Sequence, residues 1–314
     1  MAIIKSVLAI LRHENEFFFI IRQNHLRVFP GYASFPGGKV DKDEAAWDAY
    51  GEDPYLMGAL KRELEEELGF NVQESNLVKS VRFIGHAITP DFNPYRFDAK
   101  YALIELNGKP QFDLDKREVA LGFWASFEEF EKKYQKGDLI VIPPIWKIRD
   151  YLLEGRTSKE EFNLRTPNDE APAIESIAGL KQIMPLSNTL PPAERTNAFL
   201  IGSALVDPSP RDEVELQKLL NTIKNKKVDR IFITHHHGDH HQFSREISSE
   251  LNIPIYMSLY TQERLMKIGG EDYFEAIDLR TASEGDKMCE WLGEPVRVYE
   301  VPGHDQGQLA LAPD

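Results

Sequence analysis

Arg62-Glu63-Leu64-Glu65-Glu66-Glu67-Leu68-Gly69-Phe70, reached from Phe35-Pro36-Gly37-Gly38 by way of Glu44, is the stretch that decides the fold of the first half. Glu63, Glu66 and Glu67 stand at i, i+3 and i+4, so a helix projects all three from one face, where like charges repel unless a cation lies between them. Met57, Leu60, Leu64 and Leu68 form an apolar stripe opposite, and Phe35-Pro36-Gly37-Gly38 supplies a backbone turn in front. Such a face suits Mg²⁺ or Mn²⁺, hard ions that take oxygen ligands and are commonly shared with substrate phosphates. The pattern therefore points to chemistry on a phosphate ester or anhydride, against the plainer reading of a solvated acidic helix face.

These residues resemble the Nudix box, G-x5-E-x7-R-E-U-x-E-E-x-G-U with U a bulky apolar residue. Gly38 to Glu44 keeps the first interval and Arg62 to Phe70 the last nine positions, while 17 residues, Ala45 to Lys61, replace seven. Gly51, Asp53 and Pro54 mark that insert as a loop. The resemblance implies a mixed sheet between helices and an Mg²⁺ or Mn²⁺ site made by Glu63, Glu66, Glu67 and the Gly38 carbonyl. It also implies that Arg62 orients the glutamates and that Glu44 is structural. Glu67 or Glu118 is the expected base, since Arg117-Glu118-Val119-Ala120 resembles the family's acidic position after the box; a surface glutamate before a strand is the alternative.

Upstream, Arg22, Arg27 and Gly31, followed by Phe35-Pro36-Gly37-Gly38, reproduce the spacing of the motif that marks coenzyme A diphosphatases within that family. Phe18-Phe19-Ile20 and Gln23 depart from its Leu-Leu-Thr and Ser or Ala. Two guanidinium forks beside a metal platform match phosphate oxygens, so Arg22 and Arg27 are the expected substrate-binding residues. Phe17 to Phe19 read as strand core, and Pro143-Pro144-Ile145-Trp146 as a helix start with packing.

At 314 residues and 42% apolar content, the chain has room for two domains with a core each. Its 37 basic and 51 acidic residues give a net charge of -14, which argues against nucleic acid and anionic lipid as partners. A single cysteine, Cys289, excludes an internal disulfide and fits a reducing, cytoplasmic location. The start, Met1 to Leu11, reads neither as a signal peptide nor as a membrane helix.

Thr234-His235-His236-His237-Gly238-Asp239-His240-His241 places five of the nine histidines directly after the apolar run Arg230 to Thr234. Imidazole nitrogen and carboxylate oxygen both suit Zn²⁺, whereas the bland reading is an exposed tract with incidental metal affinity. The run resembles the H-x-H-x-D-H signature of the metallo-β-lactamase superfamily, with His235, His237, Asp239 and His240 at its positions. Pro302-Gly303-His304 resembles the family's later P-G-H turn, and Asp207 its early strand-end aspartate. The resemblance implies one zinc site of His235, His237 and His304 and a second begun by Asp239 and His240, with His236 and His241 at no ligand position. The family's bridging aspartate and final histidine lie beyond that turn, so a fragment of a longer protein is expected, with an incomplete αββα segment.

The fold class expected is thus α/β (α+β) in two parts. Residues 1–156 are Nudix-like, 157–173 a polar linker, and 174–314 the first part of a metallo-β-lactamase-like domain. The expected function is Mg²⁺-dependent hydrolysis of a diphosphate linkage in a small nucleoside diphosphate derivative, most concretely coenzyme A or acyl-CoA, by a chain compatible with a homodimer. The alternative is a zinc-dependent hydrolase of thioesterase or ribonuclease type acting through the second half, the first serving as a ligand-binding module.

Overall fold

Two antiparallel strands, Ile4–His13 (β1) and Glu16–Arg22 (β2), turn at Glu14, whose φ of 53° closes a tight hairpin with His13 opposite Glu16. Their side chains alternate between two cores: Val7, Ala9, Leu11, Phe18 and Ile20 face one, Ile10, Phe17 and Phe19 the other. The structure is a computed structural model describing residues 3–90, 93, 95–153, 161–164 and 169–314, and it divides into units Met1–Thr166 and Pro167–Asp314.

The first unit continues with Tyr32–Ser34 (β3), Gly37–Lys39 (β4) and the helix Pro54–Leu68 (α1), then Val78–Ile88 (β5), Phe97–Leu106 (β6) and Val119–Ala125 (β7). Phe127–Gln135 (α2), Ile140–Val141 (β8), Pro144–Leu153 (α3) and Phe162–Leu164 (β9) complete it. The mixed sheet runs β8-β3-β2-β1-β6-β5-β9, with β4 added to β1 and β7 to β2. Met57, Leu60, Leu64 and Leu68 of α1 cover one face, and Phe130 of α2 with Ile145 and Ile148 of α3 the other. The sheet between helices is as expected, and Phe17, Phe18 and Phe19 are core.

The Asp53 side chain caps α1 by accepting from the Tyr55 and Leu56 N–H groups, and Pro54 tolerates the first helical position because it has no N–H to leave unpaired. Gly69, at φ 60°, ends the helix. The insert does not all loop out: its second part, from Pro54, extends α1. Residues before it pack back, the Trp47 N–H donating to the Pro54 carbonyl. The expected linker is corrected likewise, since Phe162 within it is buried beside Tyr101 and Tyr151 and β9 pairs with β5. Much of the rest of that linker, and residues 91, 92 and 94 of the Pro90 to Pro94 loop, lie outside the described residues.

The second unit opens with an antiparallel run, Ala173–Ile177 (β10), Leu180–Ile183 (β11), Ala198–Ile201 (β12) and Ala204–Val206 (β13). Glu213–Ile223 (α4), Arg230–Phe232 (β14), Gly238–His241 (α5), Ser244–Leu251 (α6), Ile255–Met257 (β15), Leu259–Gly269 (α7) and Leu279–Thr281 (β16) follow. These strands form one sheet in sequential order, parallel from β13 onward. Lys287–Trp291 (β17), Glu294–Glu300 (β18) and Leu309–Pro313 (β19) make a second, antiparallel sheet. Val206 and Phe232 meet Met288, Val296 and Val298 between the sheets, while Leu219, Ile247 and Leu265 of the helices cover the other face of the larger one. Among the described residues no helix is long and apolar enough to cross a membrane.

Phe19 is fully buried and rings from Phe35, Phe123, Phe127 and Phe130 surround it. Phe19→Ala is expected to destabilise the first unit by about 3–5 kcal/mol, read as a lower denaturation midpoint at unchanged slope.

Candidate functional site

The short strand β4 crosses β1 antiparallel, with Gly38 opposite Val7 and Gly37 opposite Leu8. A Cβ at Gly37, where φ is 136°, would lie 2.2 Å from the Val7 carbonyl oxygen, so only glycine lets the strap sit this low. Below it runs α1. The Gly37 N–H donates to Glu67 Oε2 at 2.7 Å, and a Cβ at Gly38 would meet the Glu63 carboxylate at 2.3 Å. Both side chains are buried beneath the turn.

Burial pushes the Glu67 carboxyl up to about 8; the Gly37 N–H opposes this, Glu63 adds to it, Arg22 opposes it and Glu118 adds again. Glu63 is raised as well, mainly by burial, with Arg62 pulling the other way. The charges of Glu118 and Arg22 bear on Glu67, and Arg22 pairs with Val119, the neighbour of Glu118, across β2 and β7. Arg27 is exposed in the connection from β2 to β3.

Arg62 binds more groups than the box spacing suggested. Its Nη1 donates to Glu63 Oε1 at 2.9 Å and Glu66 Oε2 at 3.1 Å, and its Nη2 donates to the Lys39 carbonyl at 2.8 Å and Glu44 Oε2 at 2.9 Å. The nearly buried Glu44 carboxylate is therefore an Arg62 partner. Glu66 is 60% exposed, and the triad is absent from the donor groups that meet within 4.8 Å among the described residues. A guanidinium occupies the place beside Glu63 and Glu66 because it is the cation the sequence itself provides. The all-oxygen donor set and the shielded Glu67 carboxyl nevertheless suit a hard divalent ion.

The second unit does gather donors closely. His235, His237 and His304 form one set within 4.8 Å, Asp207, His235 and His240 another, and His236, His237 and Asp305 a third. His237 Nδ1 lies 3.2 Å from His235 Nε2 and 3.0 Å from His304 Nε2. Burial and the charge of His240 press His235 down to about 4, so its ring is neutral at pH 7, the form in which an imidazole binds Zn²⁺. Three imidazoles brought this close together suit that ion.

Asp207, left-handed at φ 47°, accepts from the Thr234 N–H at 2.8 Å and the Thr234 hydroxyl at 2.6 Å, and its Oδ2 lies 2.8 Å from His240 Nδ1. That contact raises His240 although burial opposes it. Asp239 stands apart: its Oδ2 accepts from the Thr189 hydroxyl at 2.8 Å, while Oδ1 is 4.0 Å from His240 Nε2. Sequence reasoning singled out neither Thr189 nor Asp305, although Asp305 directly follows Gly303-His304, and it placed His236 at no ligand position.

Residues 3–143 match the NUDIX domain model and residues 191–312 that of the metallo-beta-lactamase superfamily. Among curated proteins, the hydroxyacylglutathione hydrolase of Synechocystis sp. is 32% identical over 111 residues, 34% of this chain and 37% of that protein. That of Rhizobium meliloti is 29% identical over 100 residues, 31% and 35% respectively. The chain spans little more than a third of the length of these relatives. A NUDIX hydrolase structure from Alicyclobacillus acidocaldarius is 19% identical, with a TM-score of 0.41, covering 49% of this chain and 92% of that one. The NUDIX domain of Shewanella oneidensis NrtR, complexed with ADP ribose, is 14% identical with a TM-score of 0.37, covering 50% and 90%.

Between the ordinary carboxyl value of 4.5 and about 8, the folded protein holds a proton on Glu67 that the unfolded chain has released. Stability contributed by this group in metal-free protein therefore falls as pH rises through that window and levels off above it. Thermal unfolding in chelator should show wild-type protein losing stability relative to Glu67→Gln from pH 5 to 8. Parallel curves for the two proteins would contradict the assignment.

Proposed function

We propose that this chain, which joins a NUDIX domain to a metallo-beta-lactamase superfamily domain, is a hydrolase of acid anhydrides whose first unit cleaves a diphosphate linkage in a nucleoside diphosphate derivative. The observation that carries this reading is the Glu67 carboxyl, shut away from water under the Gly37-Gly38 strap and surrounded by further acids. Mg²⁺ or Mn²⁺ held by Glu63, Glu66, Glu67 and the Gly38 carbonyl would supply screening of the diphosphate's nonbridging oxygens and a more acidic water.

The chain's own residues do the remainder. Arg62 orients Glu63 and Glu66 through its fork, and Glu44 holds the far side of that fork. Glu118, exposed and electrostatically coupled to Glu63 and Glu67, accepts the proton of the attacking water. Arg22 supplies a guanidinium for the phosphates. Coenzyme A or an acyl derivative is the most concrete substrate, with 3',5'-ADP and a phosphopantetheine as products; the spacing of Arg22, Gly31 and the Phe35-Pro36-Gly37-Gly38 turn supports it. Arg27, exposed in the connection from β2 to β3, supplies the second guanidinium for the phosphates.

A second reading is favoured by the convergence of His235, His237 and His304: a Zn²⁺ hydrolase in the second unit, acting on a thioester. The hydroxyacylglutathione hydrolases that resemble this chain support it by name. Asp239 and His240 would serve a second ion.

Purified chain should release 3',5'-ADP from coenzyme A with Mg²⁺, and Glu66→Gln or Glu67→Gln should cut the rate about 100-fold or more with folding retained, while His237→Ala leaves it intact. Thioester cleavage that needs Zn²⁺, fails in His237→Ala and survives both glutamine variants would favour the second reading. No turnover on any nucleoside diphosphate derivative would contradict the first.

A further inference from the structure

We infer that Asp305 is a positioning residue for the His235, His237 and His304 centre, clasping His236 so that the two segments carrying the ligands are held together. The inference rests on the reading of that cluster as a metal centre and adds residues which that reading leaves idle.

His235 and His237 leave β14 on one segment, whereas His304 arrives on the turn between β18 and β19. A backbone bond from the Leu309 N–H to the Thr234 carbonyl, 2.9 Å, registers β19 against the first segment but sits five residues from His304. The turn itself is organised by Asp305. Its Oδ1 accepts from the Gly307 N–H at 2.8 Å, and its carbonyl accepts from the Gly303 and Gln308 N–H groups at 3.3 Å each. The Ser258 hydroxyl donates to the Gly307 carbonyl at 2.7 Å, and a Cβ at Gly307 would meet the Tyr260 ring at 2.5 Å, so the turn sits flush on the start of α7.

Asp305 is 6% exposed although Gly303 and His304 beside it are exposed, which is unusual for a charge on a turn. Its second oxygen explains this, standing 2.5 Å from His236 Nδ1. That nitrogen is shielded from water and has no aligned hydrogen-bond partner among the described residues; the carboxylate is off line by angle only. A buried ring nitrogen and a buried carboxylate at that distance satisfy one another after a small rotation. His236 lies between two of the ligand histidines in the chain, its ring centroid 4.9 Å from that of His237, and Asp305 directly follows the third. The clasp thus joins the segments one residue from a ligand on either side. Groups that fix ligand orientation in this way typically contribute 10–100-fold to metal affinity.

Co²⁺ titration of the full chain, followed by its d–d absorption, tests this with Asp305→Asn, His236→Asn and the double variant. Asn at 305 keeps an acceptor for the Gly307 N–H, so the turn is preserved. Each single variant should weaken Co²⁺ binding about 10–100-fold, the double should be no weaker than either, and all should reach the wild-type band shape at saturation. Wild-type affinity in both single variants overturns the inference, as do additive losses. An altered saturated spectrum in Asp305→Asn also overturns it, because it would make Asp305 a ligand. Failure of the wild-type chain to take up Co²⁺ would defeat the metal-centre reading itself, and is seen before any variant is compared.

Discussion

A carboxylate removed from water is costly unless something positive meets it, and Glu67 is such a group. One backbone N–H from Gly37 reaches it, which is not enough to keep its pKa in the ordinary range. The surrounding architecture follows from placing it there. Gly37 has no side chain because the strap must lie on Val7, Gly38 none because Glu63 comes up beneath it, and Met57, Leu60, Leu64 and Leu68 press the acidic face of α1 against that strap. A bound cation would lower that cost.

Arg62 partly fills that need. It ties Glu63 and Glu66 to Glu44 and the Lys39 carbonyl, so the acidic cluster stays folded with the protein's own cation in place. Glu67 accepts from the Gly37 N–H, while the exposed Glu66 accepts from Arg62. In the second unit the same problem is solved with neutral donors. Imidazoles crowd at less cost than carboxylates, so His235, which is buried, His237 and the exposed His304 can share one place.

Much of this was legible in the letters. The period of Met57, Leu60, Leu64 and Leu68 gave the buried face of α1, the run Phe17 to Phe19 marked the core of β2, and the histidine tract stood out by density. What was hidden depends on distant pairing. The reach of Arg62 beyond its own helix, to the Lys39 carbonyl, depends on how the residues before Pro54 pack, and that packing has no local pattern. The strand β9 escaped notice because three residues carry little periodicity; its pairing with β5 and the packing of Phe162 against Tyr101 and Tyr151 reveal it. Asp305 and His236 are about seventy residues apart in sequence and meet only once two sheets have packed.

The most direct measurement is anomalous diffraction from crystals soaked in Mn²⁺. The account expects a peak at coordination distance from Glu67 and Glu63 beneath the Gly37-Gly38 strap, with Glu66 turned away from Arg62 toward the ion. Full Mn²⁺ occupancy elsewhere, with no density at the strap and the Arg62 fork unchanged, would contradict it.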